Sequence, residues 1–308
     1  MAPPSVSSLG PTAVAGDTLT LPARTRQLVA DYVELTKPKV QTLLLFTTVT
    51  TMEIAGSPPV SKIALTCLGG YLSAGGAGAV NHYYDRDIDA QMKRTATRPI
   101  PAGRIAPRTA LLFGVALATL SFLLLWTCVN LLAASLSFAG FVGYVGIYTM
   151  WLKRRTPQNI VIGGAAGAIP PLVGWAATRG SLSWTAVYLF AIVFYWTPPH
   201  FWSLSLLMKD EYEKVAVPMM PVVRGEHETR RQILLYTLLL YAVTQLPFCA
   251  GAFGGLYLIA SMLLGLAFIG GAVMLYRRAD RRTALRLYLF SLAYLALLFG
   301  AMVADVKL

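Results

Sequence analysis

The sequence predicts an all-α, polytopic membrane protein with nine transmembrane helices. Three observations predict this class. Hydrophobic residues make up 56% of the 308 residues and charged residues only 13%, about half the charged share of a typical soluble domain. The apolar residues fall into nine stretches, each near the roughly 20 residues that cross a bilayer. The basic residues lie almost entirely in alternate connections between these stretches, which is the pattern of the positive-inside rule.

Residues 1–35 are predicted to form a disordered N-terminal leader. This part of the chain is rich in Pro, Ser, Thr, Ala and Gly, and it has no apolar run long enough for a signal peptide. Residues 36–308 are predicted to form one transmembrane domain. Its nine predicted spans are 40–57, 62–84, 109–127, 129–151, 159–177, 184–207, 232–252, 255–276 and 285–304.

The distribution of basic residues predicts the orientation of these spans. Of the 26 Lys and Arg residues, all but Lys62, Arg179 and Lys307 lie on the side of the N-terminus. The rule that cytoplasmic loops are positive therefore predicts a cytoplasmic N-terminus and a C-terminus on the opposite side. The net charge of +12 reflects this topology and excludes a nucleic-acid binder. We expect a bacterial plasma membrane in preference to the mitochondrial inner membrane.

The three cysteines indicate neither a disulfide framework nor a thiolate metal site. Cys67, Cys128 and Cys249 lie far apart in apolar stretches and form no CxxC pair. Core packing is the expected role.

Three oxygen-bearing side chains at the end of the second span predict a magnesium site. Asn81, Asp85 and Asp89 follow one another at i, i+4 spacing, so they share one face of a helix. Oxygen ligands are what Mg²⁺ prefers, often together with substrate phosphates. The alternative is a solvated helix end in which Arg86 pairs with the carboxylates.

The basic residues that follow this face predict binding of a diphosphate. Lys93, Arg94 and Arg98 come directly after the acidic residues, and Lys153 and Arg154 lie in the loop after the fourth span. Such cations neutralise phosphate oxygens, and Arg does so with forked hydrogen bonds. The alternative is that they only anchor the topology, which is the role assigned to Arg104 and Arg108.

A second acidic cluster follows the sixth span. In the segment 209–214, Asp210 is the best candidate for a further metal ligand, facing the first cluster. Glu211 and Glu213 fit an exposed turn of mixed charge equally well.

The sixth span also contains two prolines and a histidine. Pro198 and Pro199 cannot donate backbone hydrogen bonds, so a kink is expected there. His200 lies beside them, and an ionisable residue at membrane depth is a functional candidate. It could orient a metalloporphyrin or transfer a proton, or it could simply bond to a neighbouring helix. His82 is a weaker candidate because it lies off the face of Asn81, and His227 is expected to be solvated.

These motifs resemble the UbiA-type intramembrane prenyltransferases over roughly residues 35–305. The resemblance rests on these segments: Thr36-Lys37-Pro38-Lys39, Asn81-x3-Asp85-Arg86-Asp87-Ile88-Asp89, Met92-Lys93-Arg94-Thr95 with Arg98-Pro99, Thr197-Pro198-x-His200, and Pro218-Met219-Met220-Pro221-Val222-Val223. The last two segments are similar to the branch of the family that acts on heme. One departure concerns the second metal site: Lys214 stands where the family usually has an acid four residues after Asp210.

The resemblance implies a nine-helix UbiA-type bundle around a central cavity that opens to the cytoplasm and to lipid. It implies Mg²⁺ as the cofactor, and transfer of a farnesyl group from farnesyl diphosphate to the vinyl group of heme B. Water adds in the same reaction, and heme O and diphosphate are the products. Heme A synthase or a terminal-oxidase assembly protein is the expected partner, besides the lipid bilayer.

The implied roles divide the candidate residues into three groups. The catalytic metal ligands are Asn81, Asp85, Asp89 and Asp210. The diphosphate ligands are Lys93, Arg94, Arg98, Lys153 and Arg154. His200 is the implied heme ligand.

Two other functions are compatible with parts of this pattern. The same diphosphate machinery would serve an aromatic prenyltransferase that acts on 4-hydroxybenzoate or a quinone precursor. A multispan transporter would need charged residues at the bilayer midplane, where Glu53 is almost alone.

Overall fold

The computed structural model describes residues 21–308, and these residues form helices and connecting turns without a strand. The first 20 residues of the predicted leader lie outside the described range. In chain order the helices are α1 (Leu21–Leu35), α2 (Pro38–Gly56), α3 (Val60–Tyr84), α4 (Arg86–Gln91), α5 (Pro107–Cys128), α6 (Leu131–Val142), α7 (Asn159–Gly167), α8 (Ile169–Arg179), α9 (Trp184–Leu207), α10 (Lys209–Lys214), α11 (Met220–Val223), α12 (Gly225–Cys249), α13 (Gly255–Arg278) and α14 (Arg281–Lys307).

The structure differs from the prediction that the leader is disordered as far as residue 35. Residues 21–35 form α1, and Asp31 in this helix is buried. Its carboxylate accepts hydrogen bonds from Nε of Arg104 at 2.9 and 3.1 Å. The Pro, Ser and Gly residues that suggested disorder are concentrated before Leu21, whereas the segment after it contains helix-forming residues and this long-range ion pair.

The all-α, membrane-spanning class is confirmed. Seven helical segments are long and apolar enough to cross a membrane: α3, α5, α6 with its continuation to Leu152, α7 with α8, α12, α13 and α14. The first and sixth predicted spans are also helical, as α2 and α9, but they are not among these seven. Both contain polar side chains, such as the buried Thr51 and His200. The count of nine spans stays a prediction.

Two of the predicted spans are irregular helices. The fourth continues from α6 into a π-helix at Gly143–Leu152, and the fifth is divided at Ala168, just before the first turn of α8, where proline is tolerated. By contrast, α9 continues without interruption through Pro198 and Pro199.

Glycines let α3 and α5 pack with their backbones in contact. A Cβ added to Gly76 would lie 2.6 Å from the carbonyl oxygen of Gly114, and a Cβ on Gly114 would lie 2.8 Å from the carbonyl oxygen of Gly76. Small residues commonly allow such close approach between membrane helices. This contact holds α3, which carries the acidic residues, against its neighbour.

The largest hydrophobic core lies among α9, α12, α13 and α14. Its most deeply buried large side chains include Trp202, Tyr257, Phe268, Tyr294 and Phe299. Because α2 packs against both α8 and α14, the last helix lies beside the first predicted span.

An ion pair marks the end of the bundle that lies away from the acidic residues. Nζ of Lys307 is 2.6 Å from Oε2 of Glu53, in the last turn of α2. The other end of α2 begins beside Asn81, with which Lys37 forms a hydrogen bond. The 19 residues of α2 separate these two ends by about 28 Å.

Candidate active site

The three predicted metal ligands lie in one line across the junction of α3 and α4. Asp85 joins the two helices, and its amide donates to the carbonyl of Asn81 at 2.9 Å while its carbonyl accepts from the amide of Asp89 at 2.8 Å. The i, i+4 arrangement therefore persists through the junction. Nδ2 of Asn81 also donates to Oδ2 of Asp85 at 2.7 Å, and all three side chains are buried.

Each of these three residues is bound by a cation from a different segment. Lys153 forms an ion pair with Asp85, and the guanidinium of Arg98 lies 2.6 Å from Asp89. Lys37, which precedes α2, donates to Oδ1 of Asn81. Burial and the nearby charge of Arg98 lower the pKa of Lys37 to about 7. The structure thus brings together side chains from three separate parts of the chain, at position 37, in residues 81–98 and at position 153.

Lys37 was not among the candidate site residues. In the sequence it is one of several basic residues on the cytoplasmic side, which the positive-inside rule already explains. Its only sequence signal was its place in the Thr36–Lys39 motif, and its hydrogen bond spans 44 residues.

Arg154 holds its loop against α4 by a forked ion pair. Its two terminal nitrogens lie 2.7 and 2.6 Å from the oxygens of Asp87, and it also donates to the carbonyl of Tyr84. The hydrogen bond from Arg154 lowers the pKa of Asp87 to about 2. Arg154 also lies 3.8 Å from Asp85, whereas Lys93 and Arg94 are exposed on the loop after α4.

The π-helix supplies the wall that faces the acidic residues. Thr149 accepts a hydrogen bond from Asn81 at 3.1 Å, and Lys153 follows directly after this helix. Two aromatic rings on the same segment, Tyr144 and Tyr148, pack 5.4 Å apart. Nζ of Lys37 lies 5.9 Å from the centre of the Tyr144 ring. Single π-helical turns often occur at functional sites, and hydrophobic periodicity gave no signal for this one.

Within the described residues, the side chain of Asp210 forms no hydrogen bond or ion pair with the first acidic cluster. Asp210 is exposed and lines a separate cleft of about 250 Å³ between α9, α12 and the start of α14. Tyr212, two residues after Asp210, lies on the other side of α10. Burial raises the pKa of its hydroxyl, while the charge of Arg94 lowers this pKa and the charge of Asp85 raises it. One oxygen of Glu211 is also buried, without a hydrogen-bond partner.

His200 is packed between α9 and α14. Its ring is stacked 4.3 Å from Trp196 and 4.8 Å from Tyr288, and its Nδ1 is 2.7 Å from Oγ of Ser291. The side chain is 5% exposed. The hydrogen bond to a neighbouring helix leaves Nε2 as the ring nitrogen available to a ligand.

Asn81, Asp85 and Asp89, which we call the acidic line, carry the oxygen ligands that a hard cation requires. Among the described residues, no three His, Cys, Asp or Glu side chains come together as a metal cluster, so the candidate ligands are two carboxylates and one amide. Oδ1 of Asp85 is buried and has no hydrogen-bond partner within residues 21–308, although its other oxygen accepts from both Asn81 and Lys153. A buried carboxylate oxygen without a donor fits a ligand of Mg²⁺.

The fold is similar to that of several solved structures. The chain superposes on digeranylgeranylglyceryl phosphate synthase with a TM-score of 0.76 and 19% identity, covering 92% of this chain and 100% of the other. It superposes on a UbiA homologue from Archaeoglobus fulgidus bound to DMAPP and Mg²⁺ with a TM-score of 0.63 and 14% identity, covering 88% and 99%. These identities support the fold alone, and the fold is the one that the sequence motifs implied.

Relatives at higher identity carry one name. The chain is 54% identical to the protoheme IX farnesyltransferase of Symbiobacterium thermophilum, over 91% of this chain and 95% of the relative. It is also 54% identical to proteins of that name from Chloroflexus aurantiacus and Thermus thermophilus, over 91% and 89% of this chain. The chain spans about half the length of these last two relatives, since it covers 48% and 46% of them.

A family model gives the same result as the motifs. The model described as the UbiA prenyltransferase family matches residues 43–298, which include the acidic line, the π-helix and His200. The chain belongs to the UbiA prenyltransferase family.

Proposed function

We propose that this protein transfers a farnesyl group from farnesyl diphosphate to a vinyl carbon of heme B, with addition of water. The products are heme O and diphosphate. The observation that carries the proposal is the identity of 50–54% to several proteins named protoheme IX farnesyltransferase. For the relative from Symbiobacterium thermophilum this likeness extends over nearly the whole of both chains.

The acidic line is the proposed site of Mg²⁺. Asn81, Asp85 and Asp89 would hold the ion, and this assignment is supported by Oδ1 of Asp85, which accepts no hydrogen bond from the described residues. When bound, Mg²⁺ would neutralise charge on the diphosphate and make it a better leaving group. We leave Asp210 outside this set because it lies in a separate cleft.

The cations around the acidic line are the proposed diphosphate ligands. Arg98 and Lys153 are already held against the carboxylates, so a diphosphate bound at Asp85 and Asp89 would lie within their reach. They would stabilise the negative charge that grows on the departing oxygen. Arg154 would contribute from its position beside Asp87. Lys93 and Arg94 would act from the exposed loop.

The bond changes follow from the chemistry of an allylic diphosphate. The bond between the farnesyl carbon and oxygen breaks, and the diphosphate keeps the electron pair. The π electrons of the heme vinyl group form the new carbon–carbon bond, and water adds to the resulting cation and loses a proton. The rings of Tyr144 and Tyr148, close to the diphosphate end, would stabilise positive charge through their faces.

His200 is the proposed contact for the heme. Its Nδ1 is engaged with Ser291, which orients the ring and leaves Nε2 for the porphyrin iron. We further propose the bacterial plasma membrane as the location, with the acidic line on the cytoplasmic side. Heme A synthase or a terminal-oxidase assembly protein is the partner proposed to receive the product.

The proposal is tested by product analysis. Membranes containing the full chain are supplied with heme B, farnesyl diphosphate and Mg²⁺, and the extracted pigments are separated and identified by mass spectrometry. We expect a hydroxyethylfarnesyl heme that is absent when EDTA is added. Membranes without the protein provide the control. Unchanged heme, together with farnesylation of 4-hydroxybenzoate by the same membranes, would replace heme by an aromatic acceptor.

A further inference from the structure

His82 is a deeply buried side chain with no polar partner. It follows Asn81 near the end of α3 and is 1% exposed. Neither Nδ1 nor Nε2 of its ring has a hydrogen-bond partner in the part of the chain that the structure describes. A buried donor or acceptor that stays unpaired lowers stability, so a group of this kind in a folded protein calls for an explanation.

The side chain lies on the face of α3 that packs against the start of α2. One turn earlier on this face, a Cβ added to Gly78 would lie 3.0 Å from the carbonyl oxygen of Leu35 and 3.5 Å from Cγ of Lys37. Three cations reach this end of α3. Lys37 donates to Asn81, the residue before His82, and Arg98 and Lys153 pair with Asp89 and Asp85.

This environment selects the kind of ligand. An imidazole offers at least one N–H donor in either protonation state, and here that donor lies among three cations. Lys37, Arg98 and Lys153 each keep N–H donors besides those that they give to Asn81, Asp89 and Asp85. An anion with several acceptor oxygens would satisfy all four groups, and a diphosphate is such an anion.

We infer that His82 donates a hydrogen bond to the diphosphate of the prenyl substrate and helps to hold that group among Lys37, Arg98 and Lys153. The inference rests on the proposed function in one respect, namely that the substrate is a prenyl diphosphate. It does not depend on which acceptor receives the prenyl group. From the sequence, His82 was a weaker candidate because it does not share the helix face of Asn81, Asp85 and Asp89.

The test measures binding of an unreactive substrate analogue. Farnesyl thiolodiphosphate is titrated with Mg²⁺ into the purified full chain in detergent, and the dissociation constant is obtained by calorimetry. His82→Leu removes the donor and keeps an apolar side chain, so we expect binding to weaken at least about tenfold. His82→Gln keeps an N–H donor and is expected to restore most of the affinity. His227→Leu, an exposed histidine at the start of α12, is the matched control and should bind like the wild type.

Thermal unfolding without the analogue separates this role from a structural one. Because His82→Leu removes an unpaired polar ring from a buried position, its unfolding midpoint should be no lower than that of the wild type. A structural histidine would give the reverse result, with a lowered midpoint and unchanged affinity. The inference would be overturned by wild-type affinity in His82→Leu, or by an equal loss of affinity in His82→Leu and His82→Gln.

The product assay, run in parallel on the wild type, distinguishes the two proposals. Weakened analogue binding in His82→Leu without any farnesylated heme from the wild type would reject heme as the acceptor and support the role of His82. Farnesylated heme from the wild type with unchanged binding in His82→Leu would reject only the role of His82.

Discussion

At the scale of the residue, the two oxygens of Asp85 have different surroundings. Oδ2 accepts hydrogen bonds from Asn81 and Lys153, whereas Oδ1 accepts no hydrogen bond from the described residues and has the guanidinium of Arg154 3.8 Å away. The first oxygen holds the carboxylate in position, and the second is free to bind a cation. This asymmetry assigns one side chain both a structural and a proposed catalytic part, and it determines which substitution tests the mechanism.

Asp85→Asn keeps the size of the side chain and removes its charge. We expect farnesyl transfer to fall at least about a hundredfold, because a neutral amide binds Mg²⁺ more weakly than a carboxylate does and the charge stabilisation that a metal supplies is worth several kcal/mol. The measurement is the initial rate of product formation in membranes with equal amounts of folded protein.

Asp87→Asn is the matched control for this substitution. Asp87 is two residues away, and its side chain is 56% exposed and paired with Arg154, so its pairing contributes little. Removing the negative charge of Asp87 should change the rate of farnesyl transfer by no more than about fivefold. Turnover by Asp85→Asn close to that of the wild type would remove Asp85 from the mechanism.

At the scale of the element, the contact between α3 and α5 depends on two glycines. Gly76→Ala places a methyl group 2.6 Å from the backbone oxygen of Gly114, and a backbone atom cannot move aside as the end of a flexible side chain could. We expect a destabilisation of about 1–3 kcal/mol, as for overpacked cores. The measurement is the thermal unfolding midpoint of the purified protein in detergent.

Gly270→Ala in α13 is the control for this prediction. A Cβ at Gly270 would meet no atom within 4 Å, so the midpoint should stay the same or rise slightly with the better helix propensity of Ala. Equal midpoints for the two variants would show that the α3–α5 contact is not tight in solution.

The π-helix shows why element type was only partly predictable. Hydrophobicity predicted one span over 129–151, and a helical segment is found there. The change from α-helix to π-helix at Gly143 leaves no mark in the apolar pattern, because both helices present apolar side chains to lipid. It becomes visible only in the backbone hydrogen bonds, such as that from the amide of Lys153 to the carbonyl of Tyr148.

At the scale of the whole molecule, charge distribution and structure bear on the topology independently. The basic residues predict a cytoplasmic N-terminus and a C-terminus on the opposite side. In the structure, Lys307 at the end of α14 pairs with Glu53, at the end of α2 away from Asn81. We therefore expect alkaline phosphatase fused after Leu308 to be active in a bacterial host, since it folds only outside the cytoplasm.

A second fusion provides the control for the topology. Fused after Arg224, just before α12, the phosphatase should be inactive, because this position lies on the basic side of the chain. Activity in both fusions, or in neither, would contradict an odd number of spans between Arg224 and the C-terminus.

The fold class, the approximate positions of the helices and the grouping of Asn81, Asp85 and Asp89 could all be predicted from the sequence. These features are local: hydrophobicity depends on composition over some 20 residues, and the shared face of the three ligands follows from helical spacing that persists through Asp85. The family resemblance could be recognised in the sequence because its motifs are short contiguous segments.

Three features could be seen only in the folded chain: which cation pairs with which carboxylate, the cleft that contains Asp210, and the burial of His82 without a hydrogen-bond partner among the described residues. The pairs Lys37–Asn81 and Lys153–Asp85 join residues 44 and 68 positions apart. Such pairs depend on how the helices approach one another, and that approach is set by contacts such as the one between Gly76 and Gly114. Spacing along a single helix shows which residues share a face but carries no information about the segment that covers that face.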